Sequence, residues 1–190
     1  MTDLPEMQSF ENIDQLENWL KDNHDKETVL WVQIFKKKSG VVSLDWNDCV
    51  IASIIWGWID SQKKSIDERS YLQRLSPRRP KSNWSKKNCR HVEDLIAAGR
   101  MQPSGMKHVS AAKEDGRWEN AYAGSAGMVI PDDFLEELET RPGAKAHFET
   151  LNRRNLFVIY DRLHSAQKTE TRQRRMAKIL DTLERGENFH

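Results

Sequence analysis

The first part of the chain contains two segments whose apolar residues follow different spacings. Apolar residues recur every three or four positions at Ile13, Leu16, Trp19 and Leu20. This is the spacing of one helix face, and Asn12 with Gln15 has the spacing of a capping box at its start. Residues 28–35 (TVLWVQIF) are instead rich in β-branched and aromatic side chains, and a basic turn containing Gly40 follows them. They predict a buried strand.

A second helix and two further strands are predicted before residue 77. Asp45 is a suitable cap for a helix whose apolar face contains Val50, Ile51, Ile54 and Ile55. From Gly57 to Leu75 the helical period disappears, and weak alternation at residues 58–60 and 71–75 predicts two short strands. With the first strand they form a small sheet, which the first two helices cover on one face.

All the elements predicted after Pro77 and Pro80 are helices. Their successive apolar faces contain Cys89, Val92, Leu95 and Ile96; Met106 and Val109; Phe134, Leu135 and Leu138; Leu156, Ile159, Tyr160 and Leu163; and Met176, Ile179, Leu180 and Leu183. The predicted fold class is therefore α+β and predominantly α, with a small sheet and its covering helices followed by a helical C-terminal half. We expect a single domain over residues 1–190, with a soft seam near residue 128 that sets off a helical subdomain at residues 129–190.

Composition changes this picture mainly by excluding classes of protein. Seven Trp, six Phe and three Tyr supply large apolar side chains, which separates the chain from disordered proteins. The net charge of +1 argues neither for nor against nucleic acid, so an electrostatic function must come from local clusters. Two cysteines are too few for a disulfide framework, and neither an export signal nor a membrane-spanning run is visible. We therefore expect a cytoplasmic protein with reduced thiols.

The least ordinary segment is residues 76–91, which gathers cations with no acid among them: Arg78, Arg79, Lys81, Lys86, Lys87 and Arg90. Asn83 or Ser82 is a suitable cap for the helix that follows. If Trp84 begins that helix, the free backbone N–H groups there can bind an anion, together with the side chains of Ser82, Asn83 and Ser85. Arg78 and Arg79 add forked donors that suit phosphate or carboxylate. The alternative is that these arginines hold the loop to carbonyls or acidic side chains, and that Trp84 is a core residue.

A glycine between two tryptophans, in residues 56–60 (WGWID), indicates a helix that ends sharply and leads into a strand. Asp60 is placed to orient an arginine such as Arg74 or Arg79, or to form one wall of a ligand pocket. Arg100 lies just past a predicted helix end, where the helix dipole favours a cation.

Basic residues also crowd the start of the last predicted helix, at Arg172, Arg174, Arg175 and Lys178. The helix dipole disfavours cations there, so other charges must neutralise them. The two candidates are an external anion and an acidic run that contains Asp132, Asp133, Glu136, Glu137 and Glu139. Internal salt bridges to the acidic run are the favoured interpretation.

Signatures of catalysis are sparse. Cations near Cys89 favour a lowered thiol pKa, whereas its position on the apolar face of Val92 and Ile96 favours a buried structural thiol. The six histidines lack metal-ligand spacing, and no phosphate-binding loop, dinucleotide fingerprint or nucleophile elbow is present. The sequence assigns no catalytic residue, no metal and no cofactor, and it leaves open whether the protein is an enzyme.

Seven segments occur in the order found in a known family: residues 37–40 (KKSG), 57–60 (GWID), 77–88 (PRRPKSNWSKKN), 99–105 (GRMQPSG), 115–118 (DGRW), 131–133 (PDD) and 171–176 (TRQRRM). On these segments the chain resembles the YdeI/OmpD-associated, or bacteriocin-protection, family over about residues 10–186. The resemblance implies resistance to antimicrobial peptides and association with an outer-membrane porin, often with a periplasmic location. It supplies no catalytic residues to assign.

Three functions are compatible with these patterns. The first is a module that binds an anionic ligand, such as a nucleotide, a phosphorylated metabolite or a nucleic-acid backbone, between the sheet edge and the basic turn. Its candidate residues are Trp58, Asp60, Arg74, Arg78, Arg79, Ser82, Trp84, Ser85, Asn88 and Arg100. The second is an enzyme that uses Asp60 or Cys89 in the same cleft, and the third is a stress-linked protein whose basic last helix binds an acidic partner protein. Direct nucleic-acid binding is less favoured, because no recognised binding motif is present.

Overall fold

The computed structural model describes residues 5–189. Their contacts divide the chain into two compact units. The N-terminal unit consists of the residues up to Trp84 together with Asn88–Asn120, and the C-terminal unit consists of Ser85–Lys87 with the residues from Ala121 onward. The single domain with a soft seam near residue 128 stays a prediction.

The N-terminal unit contains a four-stranded mixed sheet, with strand order β1-β2-β4-β3. The strands are β1 Gln8–Ser9, β2 Leu30–Phe35, β3 Trp58–Ser65 and β4 Ser70–Pro77. β1 runs parallel to β2, whereas β2 and β3 both pair antiparallel with β4. Three of these strands were predicted from the sequence. β1 was not, because two residues cannot display a period.

Eight helices accompany the sheet among the described residues: α1 Ile13–Asn23, α2 Trp46–Trp56, α3 Lys86–Ala97, α4 Pro103–Glu114, α5 Asp132–Glu139, α6 Pro142–Phe148, α7 Arg153–His164 and α8 Thr169–Glu184. The caps predicted for the first two helices are present. Asn12 accepts a hydrogen bond from the Gln15 N–H, and Asp45 and Asp48 form a reciprocal capping box. The fold class predicted from the sequence, α+β and predominantly α, is confirmed.

The sheet core lies between β2 and the first two helices. Leu30, Val32 and Ile34 alternate with half-buried residues along β2, and they pack in one cluster with Leu16 of α1 and Cys49 of α2. Removing such apolar surface from water contributes about 25 cal/mol per Å². The predicted covering of one sheet face by α1 and α2 is therefore confirmed.

The core of the C-terminal unit is formed by helices α5 to α8. It contains Phe134, Leu138, Ala144, Ile159, Leu163, Ile179, Leu180 and Leu183. Two residues predicted on apolar faces are exposed instead, because a short amphipathic helix buries only a narrow stripe. Leu135 of α5 is 37% exposed and Ile96 of α3 is 42% exposed, so both assignments were wrong.

Helices α2 and α4 approach each other closely, and a glycine makes this approach possible. A Cβ atom added to Gly105 would lie 2.6 Å from the Ile54 carbonyl oxygen, which is too close for any other residue. The Gln102 N–H donates to the Ile55 carbonyl at 3.2 Å, so the start of α4 satisfies a carbonyl at the end of α2. This contact fixes α4 beside the start of β3.

Candidate functional site

Three elements of the N-terminal unit meet around Gly57. This residue ends α2 with φ 76°, and its carbonyl accepts a hydrogen bond at 3.0 Å from the N–H of Arg78, which follows β4. A Cβ atom at Gly57 would lie 2.6 Å from the Ser104 carbonyl oxygen and 3.1 Å from His108 Cδ2 of α4. Glycine is thus required by both conformation and space. The arrangement brings Arg78, Ser104 and His108 together.

Arg78 and Trp84 form a buried stack beside this junction. Arg78 is only 4% exposed and its guanidinium carbon lies 3.9 Å from the centre of the Trp84 ring, while Nη1 donates to the Asn83 carbonyl at 3.1 Å. Trp84 is 2% exposed and also packs on Trp118 with 5.3 Å between ring centres. A buried guanidinium over an indole face is a strong cation–π geometry. Arg79, by contrast, is exposed.

The structure corrects the predicted position of Trp84 relative to the following helix. Helix α3 begins at Lys86, so Trp84 does not begin a helix and the predicted caps Ser82 and Asn83 lie further upstream. The Ser82 N–H instead donates to the Arg79 carbonyl in a turn, at 3.0 Å. The predicted convergence of helical N–H groups around Trp84 is therefore wrong.

Two buried donors of the junction lack an acceptor. Trp84 Nε1 and Ser104 Oγ have no hydrogen-bond partner among the described residues. Native proteins pair about nine in ten buried polar groups, and each unpaired one calls for a reason. Two such atoms beside a buried arginine make the Gly57 junction, defined here by Gly57, Arg78, Trp84, Ser104 and His108, the candidate site.

The electrostatic environment of the Gly57 junction is positive. Burial lowers the pKa of His108, and the charges of Arg78, Lys107 and Arg117 lower it further. Arg117 is itself buried, and it donates to the Ser82 carbonyl at 2.7 Å and to Asp115 at 2.8 Å. The neutral form of His108 is therefore favoured.

Eight of the ten predicted site residues lie outside the Gly57 junction, and four of these form contacts elsewhere in the N-terminal unit. Trp58 belongs to the sheet core, where its indole N–H donates to the His24 carbonyl at 3.0 Å. Asp60 accepts from the Trp46 indole N–H at 3.0 Å, and Arg74 donates to two serine hydroxyls. These bonds take the place of the predicted pairing of Asp60 with Arg74 or Arg79. Arg100 forms an ion pair with Glu17 of α1.

The remaining predicted residues divide between the two units. Ser82 contributes its carbonyl to Arg117, and Asn88 is half-buried in the first turn of α3. Ser85 forms a β-bridge with Tyr122 inside the C-terminal unit. The sequence missed Ser104, His108 and Arg117 as site residues. Ser104 and Arg117 lie within two of the segments that carry the family resemblance, residues 99–105 and 115–118, and this position could have marked them as candidates.

The cysteines are structural. Burial raises the pKa of Cys89 to about 11, and this effect outweighs the nearby Arg78 charge, which acts in the opposite direction. Burial also raises the pKa of Cys49. Both thiols therefore stay protonated at neutral pH, which supports the structural interpretation of Cys89 over a reactive one.

In the C-terminal unit the predicted internal salt bridge is present. Arg172 forms a two-pronged pair with Asp133, with Nη2 to Oδ1 at 2.6 Å and Nε to Oδ2 at 3.1 Å. Arg175 Nη1 donates to the Arg162 carbonyl at 2.7 Å and to Ser165 Oγ at 2.9 Å. Two of the four cations, Arg172 and Arg175, are therefore bound by other groups of the protein.

Within residues 5–189, no cluster of His, Cys, Asp or Glu is arranged to hold a metal ion, and no helix has the length and apolar character to cross a bilayer.

Two family models match the chain. Residues 8–108, more than half of its length, match a domain of unknown function (DUF8412), and residues 127–186 match the family described as bacteriocin-protection, YdeI or OmpD-associated. The chain therefore belongs to the first family, and only its C-terminal part matches the second. No curated protein and no solved structure matches it. The resemblance to the YdeI/OmpD-associated family is thus confirmed for the C-terminal part.

The two matches separate the candidate site from the named family. Gly57, Arg78, Trp84, Ser104 and His108 all lie within residues 8–108, the domain of unknown function. The Arg172–Asp133 pair lies within the YdeI/OmpD-associated part. The description of the YdeI/OmpD-associated family therefore gives no information on the Gly57 junction.

Proposed function

We propose that the N-terminal unit is a binding module for a small ligand that carries a phosphate or carboxylate group. The oxyanion binds to Trp84, Ser104 and His108 beside the Arg78 guanidinium. The observation that carries this proposal is the pair of buried donors, Trp84 Nε1 and Ser104 Oγ, without a partner among the described residues. Leaving a buried donor unpaired costs about 1–3 kcal/mol, and an oxyanion offers strong acceptors.

The charges around His108 support an anion rather than a neutral ligand. The positive charges of Arg78, Lys107 and Arg117 disfavour protonation of His108, and the same field attracts an anion. A bound anion offsets these charges and makes protonation of His108 easier, so binding and proton uptake are coupled. We therefore expect the affinity for a phosphorylated ligand to rise as the pH falls below neutrality.

Thermal unfolding tests the proposal with three probes: inorganic phosphate, pyrophosphate and AMP, each compared with sodium chloride at equal ionic strength. At least one probe should raise Tm progressively with its concentration, because a ligand that binds only the folded state stabilises it by RT ln(1 + [L]/Kd). Ser104→Ala and Trp84→Phe each remove one donor. Each should weaken the apparent affinity about tenfold, which corresponds to about 1.4 kcal/mol.

Matched controls separate binding from folding. Arg79→Gln removes one positive charge next to Arg78 in the sequence, but from an exposed side chain. This variant should leave the affinity nearly unchanged. In the absence of any probe, Ser104→Ala should keep or raise Tm, because alanine has no unsatisfied hydroxyl. The proposal fails if no probe stabilises the protein more than chloride does, or if Ser104→Ala and Trp84→Phe both respond as the wild type.

The enzyme alternative has less support from the geometry. The pKa of Cys89, raised to about 11, keeps this thiol protonated and poorly nucleophilic at neutral pH. The Asp60 carboxylate accepts a hydrogen bond from Trp46 and lies outside the Gly57 junction. A binding module requires neither group to react, and it accounts for the unpaired donors directly.

A further inference from the structure

A second feature of the N-terminal unit is a cavity of about 390 Å³ at the edge of the sheet. It lies where the C-terminal half of α1, the start of β2 and the residues leading into β1 come together. The residues that line it include two tryptophans, two glutamates and two residues with side-chain amides: Trp19, Trp31, Glu6, Glu27, Gln8 and Asn23. Its volume is within the range of about 300–1,000 Å³ typical of small-molecule sites.

The aromatic walls are held in place by the fold. Trp19 packs edge-to-face on the buried Trp58, with 5.9 Å between ring centres and an interplanar angle of 86°. Trp31 lies on β2, where its backbone pairs with Arg74 of β4. Asn23 donates its side-chain N–H to the Trp19 carbonyl at 2.8 Å. Rigid indole rings attract cations to their faces, and tryptophan is the most effective aromatic residue in this role.

The charges of the cavity wall have a single sign. Among the described residues that line the cavity, Glu6 and Glu27 are charged and none is Lys, Arg or His. Both glutamates attract a cation in the cavity and repel an anion. This is the opposite of the Gly57 junction, so the two features select different ligands.

We infer that this cavity is a binding site for an alkylammonium group, held between the Trp19 and Trp31 rings and neutralised by Glu6 and Glu27. The source of the group is either a free amine or the lysine side chain of a peptide, which share the same chemistry. The inference rests on the cavity alone and is independent of the anion site at the Gly57 junction.

Calorimetric titration of the full chain at about pH 7 tests the inference. The probes are choline and its uncharged isostere 3,3-dimethylbutan-1-ol, which have nearly the same shape. Choline should bind and the alcohol should bind at least tenfold more weakly, because only choline gains from the carboxylates and the ring faces. A second arm compares n-butylammonium with a blocked Gly-Lys-Gly peptide. Tighter binding of the peptide identifies a peptide source, and tighter binding of the amine identifies a free ligand.

Three variants locate the binding in this cavity. Trp31→Leu should weaken choline binding roughly tenfold by removing one ring face. The double change Glu6→Gln and Glu27→Gln should weaken it at least as much and abolish its dependence on salt. Glu68→Gln, an exposed residue of the same unit that does not line the cavity, is the matched charge control and should bind as the wild type.

The inference is overturned if choline does not bind, or if the alcohol binds as tightly as choline. It is also overturned if the double glutamine variant, shown to be folded by its thermal transition, binds choline with the wild-type affinity. Should Trp31→Leu fail to fold, the double variant alone decides, because Glu6 and Glu27 are exposed and their substitution leaves the core intact.

Discussion

Ser104 and Trp84 each have a buried group that lowers stability and that contributes to recognition in the proposed function. Each keeps a buried hydrogen-bond donor that the described residues leave unpaired. An apolar substitute of similar shape would remove the cost of burying that donor, so the native choice is not the most stable one. Residues that sacrifice stability in this way are typical of binding sites. A Ser104→Ala variant that is more stable than the wild type would therefore indicate that Ser104 is retained for binding and not for folding.

His108 should make the stability of the N-terminal unit depend on pH. Its pKa in the folded protein lies below the ordinary value of 6.5, so the unfolded chain binds a proton more readily. Stability is then fully present above pH 6.5 and decreases as the pH falls below it. Chemical unfolding between about pH 7.5 and pH 5 measures this loss. His108→Gln should flatten the profile, and parallel profiles for the two proteins would contradict the assignment.

The residue scale also explains which site residues could be predicted. The caps at Asn12 and Asp45 depend on partners three positions away, so the sequence displays them. The roles of Ser104 and His108 depend on Gly57, which is distant in the chain and contacts them only after folding. The identity of the buried arginine, Arg78 rather than Arg79, was likewise decided by how the chain leaves β4. No local pattern distinguishes two adjacent arginines.

At the scale of elements, hydrophobic periodicity predicted the helices well and their boundaries less well. Helix α3 begins at Lys86 because a turn that ends at Ser82 and a β-bridge at Ser85 occupy the preceding residues. The bridge joins Ser85 to Tyr122, which is far along the chain, so the residues near Ser85 could not predict where the helix begins. Leu135 fits the period of α5 and is still exposed, because the core contacts only Phe134 and Leu138 of that helix.

The Arg172–Asp133 pair should connect α5 to α8 in a pH-dependent way. Hydrogen bonding to Arg172 holds the pKa of Asp133 below its ordinary value of 3.8. The pair therefore stabilises the protein above that pH, and its contribution is lost as the pH falls through the lowered pKa. Asp133→Asn should lower the free energy of unfolding at neutral pH by about 1 kcal/mol or less, since the Asp133 side chain is exposed and solvent screens the pair.

A neighbouring residue provides the control for this measurement. Asp132 occupies the same first turn of α5 and is exposed, so Asp132→Asn removes the same charge from the same end of the helix dipole. Urea unfolding should find Asp133→Asn the less stable of the two at neutral pH, and the difference should shrink as the pH falls below 3.8. Equal stability of the two variants at neutral pH would mean that the ion pair contributes nothing measurable.

At the scale of the whole molecule, a net charge of +1 conceals two regions of opposite sign. The Gly57 junction lies in the field of Arg78, Lys107 and Arg117, whereas the charged residues described around the cavity at the sheet edge are Glu6 and Glu27. Composition could not reveal this separation, because it depends on how distant segments are brought together. The sequence did indicate that local clusters matter more than the sum of the charges.

The two cysteines offer a readout of the opening of the N-terminal unit, to which both belong. A thiol-specific reagent at about pH 8 should modify neither in the native protein on mixing, and both in guanidinium chloride. Modification requires opening because burial keeps both thiols protonated and inaccessible. A ligand of the Gly57 junction should slow the reaction by favouring the closed state. One immediately reactive thiol in the native protein would contradict this.

The close packing of α2 against α4 has a consequence for how tightly a ligand can be held. With glycine at positions 57 and 105, the two helices meet backbone to backbone, and neither can slide without a clash. The spacing between Ser104, His108 and the residues after β4 is thereby fixed when the protein folds. Binding of a ligand there would not require the protein to rearrange, so a few contacts would be enough for measurable affinity. Two residues that lack side chains thus determine the dimensions of the proposed binding site.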